Sequence, residues 1–143
     1  MATTPIGKDH DLDPFYRYKR PVIKVAISGH GRNTHTLITN LEQIAKAIHR
    51  DSSYILKYLA YEKNLVVKKY KDDIAITGEY DVGTLEQYLD DFIEVYVICA
   101  NCNLPETNFT KNEDDCLVYT CNSCSYCYTY PATKLSKYIC NQI

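Results

Sequence analysis

The sequence predicts an α/β protein, in which a small mixed sheet packs with helices and a C-terminal β module follows. Three observations predict this fold class. The run VIKVAISG, residues 22–29, is rich in β-branched side chains and is typical of a strand. Apolar residues recur at helical spacing in three later segments. The last third of the chain carries two CxxC pairs: Cys99 and Cys102, and Cys121 and Cys124.

Composition excludes several classes of protein. The 143 residues are 45% hydrophobic and 24% charged, which suits one folded domain or two small ones. No apolar run approaches the roughly 20 residues that span a bilayer, and the polar N-terminus does not resemble a secretory signal. Seven cysteines, an odd number without an export signal, argue against a disulfide framework and for a cytoplasmic location.

The net charge of −2 conceals a basic front half. Residues 1–50 hold eight Lys/Arg and four acids, whereas the remainder holds eight and fourteen. The front half is therefore suited to meet phosphate, although an ordinary solvated face would carry the same signal.

The first elements are a tail, an aromatic and basic segment, and two strands. Residues 1–14 are polar, with two prolines and a glycine, and are predicted to form a flexible tail. FYRYKRP (15–21) interleaves aromatic and basic side chains. Strands are predicted over 22–29 and 36–39, separated by a loop with two glycines. The first strand is expected to place three apolar side chains on one face: Ile23, Val25 and Ile27.

Three helices and one hairpin are predicted next. Asn40 is expected to cap the first helix, and a second helix covers 53–62. Strands at 65–70 and 74–78 around KDD predict a hairpin, and Asp81 opens the third helix. Two apolar stripes face the core: Leu41, Ile44, Ala45 and Ile48, then Leu85, Tyr88, Leu89, Phe92 and Ile93. The predicted domains are the tail (1–14), an α/β core (15–96), and the C-terminal module with a short tail (97–143).

The cysteine spacing predicts a structural zinc site. Each CxxC turn brings two thiolates to one ion, and two turns supply the four tetrahedral ligands that Zn²⁺ accepts. The pattern C-x₂-C-x₁₈-C-x₂-C is typical of a zinc ribbon, and it disfavours a redox CxxC or disulfides. Four thiolates leave no open position for substrate, and folding of this module is expected to depend on the ion.

Ligand choice in the second pair has an alternative. Cys124 and Cys127 also have CxxC spacing, so the pair could slip by three residues. We favour Cys121 and Cys124, because LVYTC predicts a strand that enters the knuckle and places Cys127 in the outgoing strand. Cys116 and Cys140 are interpreted as small buried apolar residues.

Motifs of a self-contained enzyme are missing from the sequence. GxGxxG, P-loop, HExxH and nucleophile-elbow patterns do not occur, and the four histidines do not cluster with carboxylates. A binding or regulatory role is therefore favoured over catalysis by this chain.

Several segments resemble one family of translation factors. FYRYKRP, NLEQIAKAIHR, KYLAYE and the paired knuckles are similar to the family of the initiation factor 5 N-terminal domain and the initiation factor 2 beta subunit. The resemblance covers about Phe15 to Ile143. The factor 5 branch fits better, because the beta subunit begins with a segment that binds the gamma subunit and, in eukaryotes, with lysine blocks.

The resemblance implies a role in start-codon selection. Factor 5 promotes GTP hydrolysis by initiation factor 2 on the small ribosomal subunit, and Arg17 is the position of its arginine finger. Lys57 matches a supporting lysine, whereas a second one is replaced by His35. A further departure is Ser125, where the family usually has glycine after the last ligand.

The resemblance also implies partners. Small-subunit ribosomal RNA, initiator tRNA and the gamma-subunit GTPase of factor 2 are expected, with no membrane and a monomeric state. The candidate RNA-binding residues are Lys19, Arg20, His30, Arg32 and His35. Arg17 would otherwise be an ordinary cation that contacts RNA phosphate or a neighbouring tyrosine.

Two alternatives stay open. A non-catalytic, ribosome-bound dormancy factor would retain the fold without activating GTP hydrolysis, and a factor 2 beta subunit would serve as a scaffold. Factor 5 normally continues into a helical-repeat domain beyond the segment that corresponds to this sequence, and the sequence does not decide whether the chain is whole.

Overall fold

The computed structural model describes residues 3–6, 18–29, 31, 34–70 and 73–142. Its elements in chain order are β1 (Thr3–Pro5), β2 (Lys19–Pro21), β3 (Val25–Ser28), β4 (His35–Ile38), α1 (Leu41–Ala47), α2 (Ser52–Glu62), β5 (Val67–Tyr70), β6 (Asp73–Thr77), α3 (Val82–Tyr96), β7 (Thr107–Lys111), β8 (Leu117–Cys121), β9 (Cys127–Thr129) and α4 (Lys134–Gln142). The α/β class with a C-terminal β module is confirmed. No described helix has the length and apolarity needed to cross a membrane.

The main sheet has four strands in the order β3-β4-β6-β5. Every pairing in it is antiparallel, so the prediction of a mixed sheet is wrong. The helical connection α1–α2 does bring β5 back in the direction of β4, as a crossover should. However, the hairpin strand β6 lies between them and pairs with both, which removes the parallel contact.

The N-terminal segment contributes structure that the sequence analysis missed. Thr3–Pro5 pairs with Lys19–Pro21 as an antiparallel two-stranded sheet, so this part of the predicted flexible tail is a strand. Ile6 follows it and is only 2% exposed in the apolar core. Burial of this side chain explains why the segment lies on the body, since isolated strands have little stability of their own.

Two helix caps behave as predicted and one does not. Asp51 and Asp81 accept hydrogen bonds from the backbone amides of Ser53 and Thr84 (2.9 Å each). Bonding to Thr84 also lowers the pKa of the Asp81 carboxyl. The Asn40 side chain makes no cap bond.

Asn40 instead holds the chain that leads into β3. Its side-chain oxygen accepts from Lys24 N (3.0 Å), and its side-chain nitrogen donates to Val22 O (2.8 Å). The expected apolar stripe of the first strand fails at Ile27, which is 46% exposed because β3 is an edge of the sheet.

Helix α4 is the element that the sequence analysis read as a short tail. Its start carries a reciprocal cap: Thr133 Oγ1 accepts from Ser136 N (3.1 Å), and Ser136 Oγ accepts from Thr133 N (2.8 Å). Leu135 and Ile139 are fully buried. The α4 helix therefore supplies apolar surface to a module expected to have little core of its own.

One buried arginine joins the α/β part to the ribbon strands. Arg50 follows α1 and is 6% exposed. Its Nε and Nη2 donate to Tyr96 O (3.1 and 2.9 Å), at the C-terminal end of α3. Its Nη1 donates to Thr107 O (2.8 Å), at the start of β7, and its guanidinium lies 4.0 Å from the Phe109 ring centroid. The domain boundary predicted at 96/97 stays a prediction, and this network crosses it.

Replacement of Arg50 by methionine is expected to destabilise the protein. The variant keeps the apolar stem but leaves the carbonyls of Tyr96 and Thr107 buried without their donor, which should lower the free energy of unfolding by about 3 kcal/mol. Urea denaturation measures the change. The matched control is Lys46→Met, an exposed cation in the last turn of α1, which should shift stability by less than about 0.5 kcal/mol. Equal effects of the two variants would contradict a joining role for Arg50.

Candidate metal centre

Two knuckles bring four sulfur atoms together at one end of the ribbon. The cysteine cluster (Cys99, Cys102, Cys121 and Cys124) has its Sγ atoms all within 4.8 Å of one another. The closest pairs are Cys99 with Cys124 and Cys102 with Cys121, at 3.6 Å each. A tetrahedron of sulfurs about 2.3 Å from Zn²⁺ has edges of about 3.8 Å. The cluster could therefore hold one metal ion, and its donor set is compatible with zinc.

The two knuckles share the same backbone hydrogen bonds. In the first, Asn103 N donates to Cys99 O (2.9 Å) and Cys99 N donates to Leu104 O (3.0 Å). In the second, Ser125 N donates to Cys121 O (2.9 Å) and Cys121 N donates to Tyr126 O (2.8 Å). The local chain therefore closes each CxxC turn in the same way and presents both thiols toward the other knuckle.

The residue after each second cysteine lies in the left-handed region of backbone space. Asn103 has φ 61° and Ser125 has φ 65°. Asparagine tolerates this conformation, whereas serine adopts it at a cost of the order of 1 kcal/mol. The departure noted at Ser125 thus falls at a position where a glycine would relieve strain.

Asn101 polarises the sulfurs from within the first knuckle. Its backbone amide donates to Cys99 Sγ (3.4 Å) and its side chain to Cys124 Sγ (3.5 Å). The side-chain bond lowers the pKa of Cys124 to about 6, whereas burial raises the pKa of Cys99 and raises that of Cys102 to about 12. A metal ion must displace the protons of the buried thiols, so metal affinity should fall as pH falls.

The remaining cysteines lie outside the cluster. Cys127 is exposed in β9, as predicted, and pairs across the strands with Thr120. Thr120 and Cys127 therefore share a sheet face, and the neighbouring Cys121 projects from the other face. Cys140 is buried, as expected, but Cys116 is only half-buried because it follows the turn between β7 and β8.

The proposed RNA-binding residues are not equivalent in the structure. Lys19 is exposed in β2, whereas the next residue, Arg20, is 1% exposed and contacts Glu86 and Asp90 on α3. Arg20 is therefore an internal ion-pairing residue, and its assignment to RNA binding is wrong. His35 is half-buried in β4, where it lies opposite Ser28 and Thr77.

Other predicted residues have different standing. Arg17, His30 and Arg32 lie outside the described residues. Lys57 lies on α2, with its Nζ 5.2 Å from the ring centroid of Tyr138 on α4 and 5.6 Å from that of Tyr61. Its charge thus faces the aromatic surface between α2 and α4.

Sequence reasoning missed the residues that support the cluster from outside it. Tyr119 on β8 accepts from Ala100 N (3.0 Å) and is 2% exposed beneath the first knuckle. Thr107 Oγ1 donates to Val97 O (2.6 Å), which ties the chain entering the cluster to β7. The alternation of apolar and polar residues in LVYTC could have indicated the inward position of Tyr119, but the partners are set by tertiary contacts.

Two knuckles that supply four sulfur ligands beside a three-stranded sheet, packed against an α/β body, define a protein of the zinc-ribbon class. The family is shown by comparison: a family model described as a domain found in initiation factors 2B and 5 matches residues 8–127. The chain belongs to this family. Helix α4 lies beyond the matched range.

Individual relatives agree with the family match. The chain is 36% identical over 129 residues to "Probable eukaryotic translation initiation factor 5" of Schizosaccharomyces pombe, a match that covers 88% of this chain and 32% of the relative. It is 35% identical over 114 residues to "Eukaryotic translation initiation factor 5" of Saccharomyces cerevisiae, covering 78% and 28%. The Dictyostelium discoideum protein is 35% identical over 124 residues, covering 87% and 31%. The chain thus spans about a third of the length of these relatives.

Serine replacements at neighbouring cysteines test the ligand assignment. If four ligands share the roughly 10–16 kcal/mol of structural zinc binding, Cys124→Ser should weaken zinc binding by about hundredfold. Cys127→Ser should change it by less than about twofold, because its thiol belongs to the other sheet face. Competition with a chromogenic chelator measures both. An equal loss in the two variants would indicate that the second knuckle uses Cys124 and Cys127.

Glycine at position 125 is expected to stabilise the metal-loaded protein. Ser125→Gly removes the left-handed strain and should raise the free energy of unfolding by about 1 kcal/mol. Asn103→Gly is the matched control and should change it by only a few tenths of a kcal/mol. Guanidinium denaturation with zinc present measures both. A neutral or destabilising Ser125→Gly would show that the knuckle carries no strain at this residue.

Proposed function

We propose that this chain is a translation initiation factor that promotes GTP hydrolysis by initiation factor 2 on the small ribosomal subunit during start-codon selection. The observation that carries this proposal is the match to relatives named eukaryotic translation initiation factor 5 over as much as 88% of the chain. Because the chain spans about a third of those relatives, their activity and partners enter here as proposals.

The proposed chemistry is transition-state stabilisation in trans. During phosphoryl transfer, charge spreads over the γ-phosphoryl oxygens, and an external guanidinium neutralises it with a gain of roughly 10³–10⁵ in rate. Arg17 is the proposed finger, and Lys57 is a supporting cation. The chain does not hydrolyse GTP itself in this proposal; it completes the site of the gamma-subunit GTPase.

The cysteine cluster is proposed to hold one structural Zn²⁺. The four sulfur ligands of such an ion would leave no position for substrate. The ion would fix the two knuckles to each other and so maintain the β7–β9 sheet against the α/β body. Its removal is expected to unfold the ribbon.

The RNA partners of this proposal are ribosomal RNA of the small subunit and initiator tRNA, in the cytoplasm, with the chain acting as a monomer. Lys19 supports it as an exposed cation of β2. The proposed contacts also include His30, Arg32 and His35, in or beside the loop between β3 and β4. Phosphate contacts of this kind make binding salt-sensitive.

Single-turnover GTP hydrolysis tests the proposal. Initiation factor 2 bound to GTP and initiator tRNA on the small subunit is mixed with saturating chain, and the rate constant is measured. Arg17→Ala should lower the stimulated rate by about 10³, whereas Lys24→Ala, an exposed cation of the same front half, should leave it within about twofold. An Arg17→Ala chain as fast as the parent would contradict the finger.

The same preparation separates the alternatives. A parent chain that binds the small subunit without accelerating hydrolysis would indicate a non-catalytic ribosome-bound factor. A stable complex with the isolated gamma subunit would indicate a factor 2 beta subunit, because an activator needs only a transient contact.

The adjacent cations Lys19 and Arg20 should give opposite phenotypes. Lys19→Ala should weaken small-subunit binding and reduce the slope of log affinity against log salt by about 1. Arg20→Ala should leave that slope unchanged and lower the free energy of unfolding by about 3 kcal/mol, because Glu86 and Asp90 lose their buried partner. Salt-dependent binding and urea denaturation provide the two measurements. A reduced salt slope in Arg20→Ala would contradict its internal role.

A further inference from the structure

Tyr18 connects the N-terminal part of the chain to the ribbon. Its hydroxyl donates to Glu106 Oε1 at 2.5 Å, across 88 residues of sequence. Its carbonyl accepts from Ile6 N at 2.9 Å, which continues the pairing of β1 with β2. Tyr18 is therefore held at the backbone by the N-terminal strand and at the ring by the ribbon.

Glu106 is itself held by the cysteine cluster. Asn122, between the two cysteines of the second knuckle, donates its backbone amide to Glu106 O at 2.7 Å. The next residue, Thr107, receives the Arg50 guanidinium at its carbonyl and its hydroxyl. The carboxylate that contacts Tyr18 thus stands on a backbone fixed from two sides.

The other end of this short segment is fixed to α3. Arg20 contacts Glu86 and Asp90, and the Glu86 Oε1 atom accepts from Ile23 N at 2.8 Å. Residues 18–23 are therefore anchored to the ribbon at their start and to α3 at their end. Such double anchoring defines both the place and the direction in which the preceding residues join the body.

We propose that the Tyr18–Glu106 hydrogen bond positions the segment carrying Arg17, so that the ribbon takes part in GTPase activation through Tyr18. Arg17 is joined to Tyr18 by a single peptide bond, and whatever fixes Tyr18 fixes the point from which residue 17 leaves. This inference rests on the proposed function. Tyr18 and Glu106 are positioning residues, because neither needs to touch the nucleotide.

The expected effect follows from what the bond does. Loss of the hydroxyl leaves the Arg17 guanidinium and the docking surface intact but widens the set of directions that the segment adopts. Misplacement of a reacting group lowers the rate of the chemical step far more than it weakens binding. The stimulated rate should therefore fall while the concentration for half-maximal stimulation stays nearly constant.

The experiment compares four zinc-loaded variants with the parent in the single-turnover assay. Tyr18→Phe and Glu106→Ala should each lower the saturating rate by about tenfold, with less than about a twofold change in half-saturating concentration. Glu106→Gln retains an oxygen acceptor and should restore most of the rate. Glu113→Ala, an exposed carboxylate of the β7–β8 turn, is the control and should match the parent.

Two further measurements make the outcome decisive. The Tyr18→Phe, Glu106→Ala double variant should be no slower than either single variant, because both remove the same bond. Amide hydrogen exchange at residues 18–20 should be faster in both single variants while exchange in α3 is unchanged. Losses that multiply in the double variant, or unchanged exchange at residues 18–20, would overturn the proposal.

The parent chain separates the two levels of the argument. A parent that accelerates hydrolysis together with a Tyr18→Phe variant of the same rate would overturn positioning alone. A parent that gives no acceleration overturns the proposed function and this inference with it. A Tyr18→Phe chain that fails to fold leaves Glu106→Ala against Glu106→Gln as the deciding comparison, since both keep the tyrosine.

Discussion

The structure depends on a cation buried at the meeting point of its two parts. Arg50 reaches the C-terminal carbonyls of α3 at Tyr96 and the first ribbon strand at Thr107. His49 precedes it with φ 56°, a left-handed turn that ends α1 and directs the next side chain inward. Burial lowers the pKa of Arg50 to about 10, so it remains a cation at neutral pH. Among the described residues no carboxylate pairs with it, and the negative end of the α3 dipole takes that part.

An aromatic column extends the same junction in both directions. The Phe92 and Tyr96 rings stack at 5.4 Å, and Tyr96 stacks on Tyr130 at 5.0 Å. Tyr130 lies 5.8 Å from Tyr119, which accepts from the first knuckle, and donates its hydroxyl to Val95 O at 2.7 Å. Burial raises the pKa of Tyr130 and raises that of Tyr96 to about 12, so both remain neutral donors. The cysteine cluster is thereby connected to the helices by contiguous packing rather than by a linker.

Local rules of sequence predicted those features that depend on near neighbours. The caps at Asp51 and Asp81 and the cysteine cluster each follow from residues only a few positions apart or from ligand spacing. Long-range partners were beyond such rules. Arg20 looked like a surface cation because Glu86, which buries it, is 66 residues away.

Two other differences have the same origin. The prediction at Asn40 was wrong because its side chain finds Val22 and Lys24 on an adjacent segment instead of the helix start. Helix α4 was missed because KLSKYICNQ contains few apolar residues and its cap uses Ser136 in place of the usual acid. Its helical identity follows from burial of Leu135 and Ile139 against surface that only the folded chain provides.

The most direct test of this account is whether ribbon and helices unfold together. Guanidinium denaturation of the zinc-loaded chain can be followed at once by release of zinc to a chromogenic chelator and by the helical circular dichroism signal. The buried junction predicts that both signals change in one transition with the same midpoint. Release of zinc at clearly lower denaturant, with the helical signal still at its native value, would contradict the claim that Arg50 and its partners make one cooperative structure.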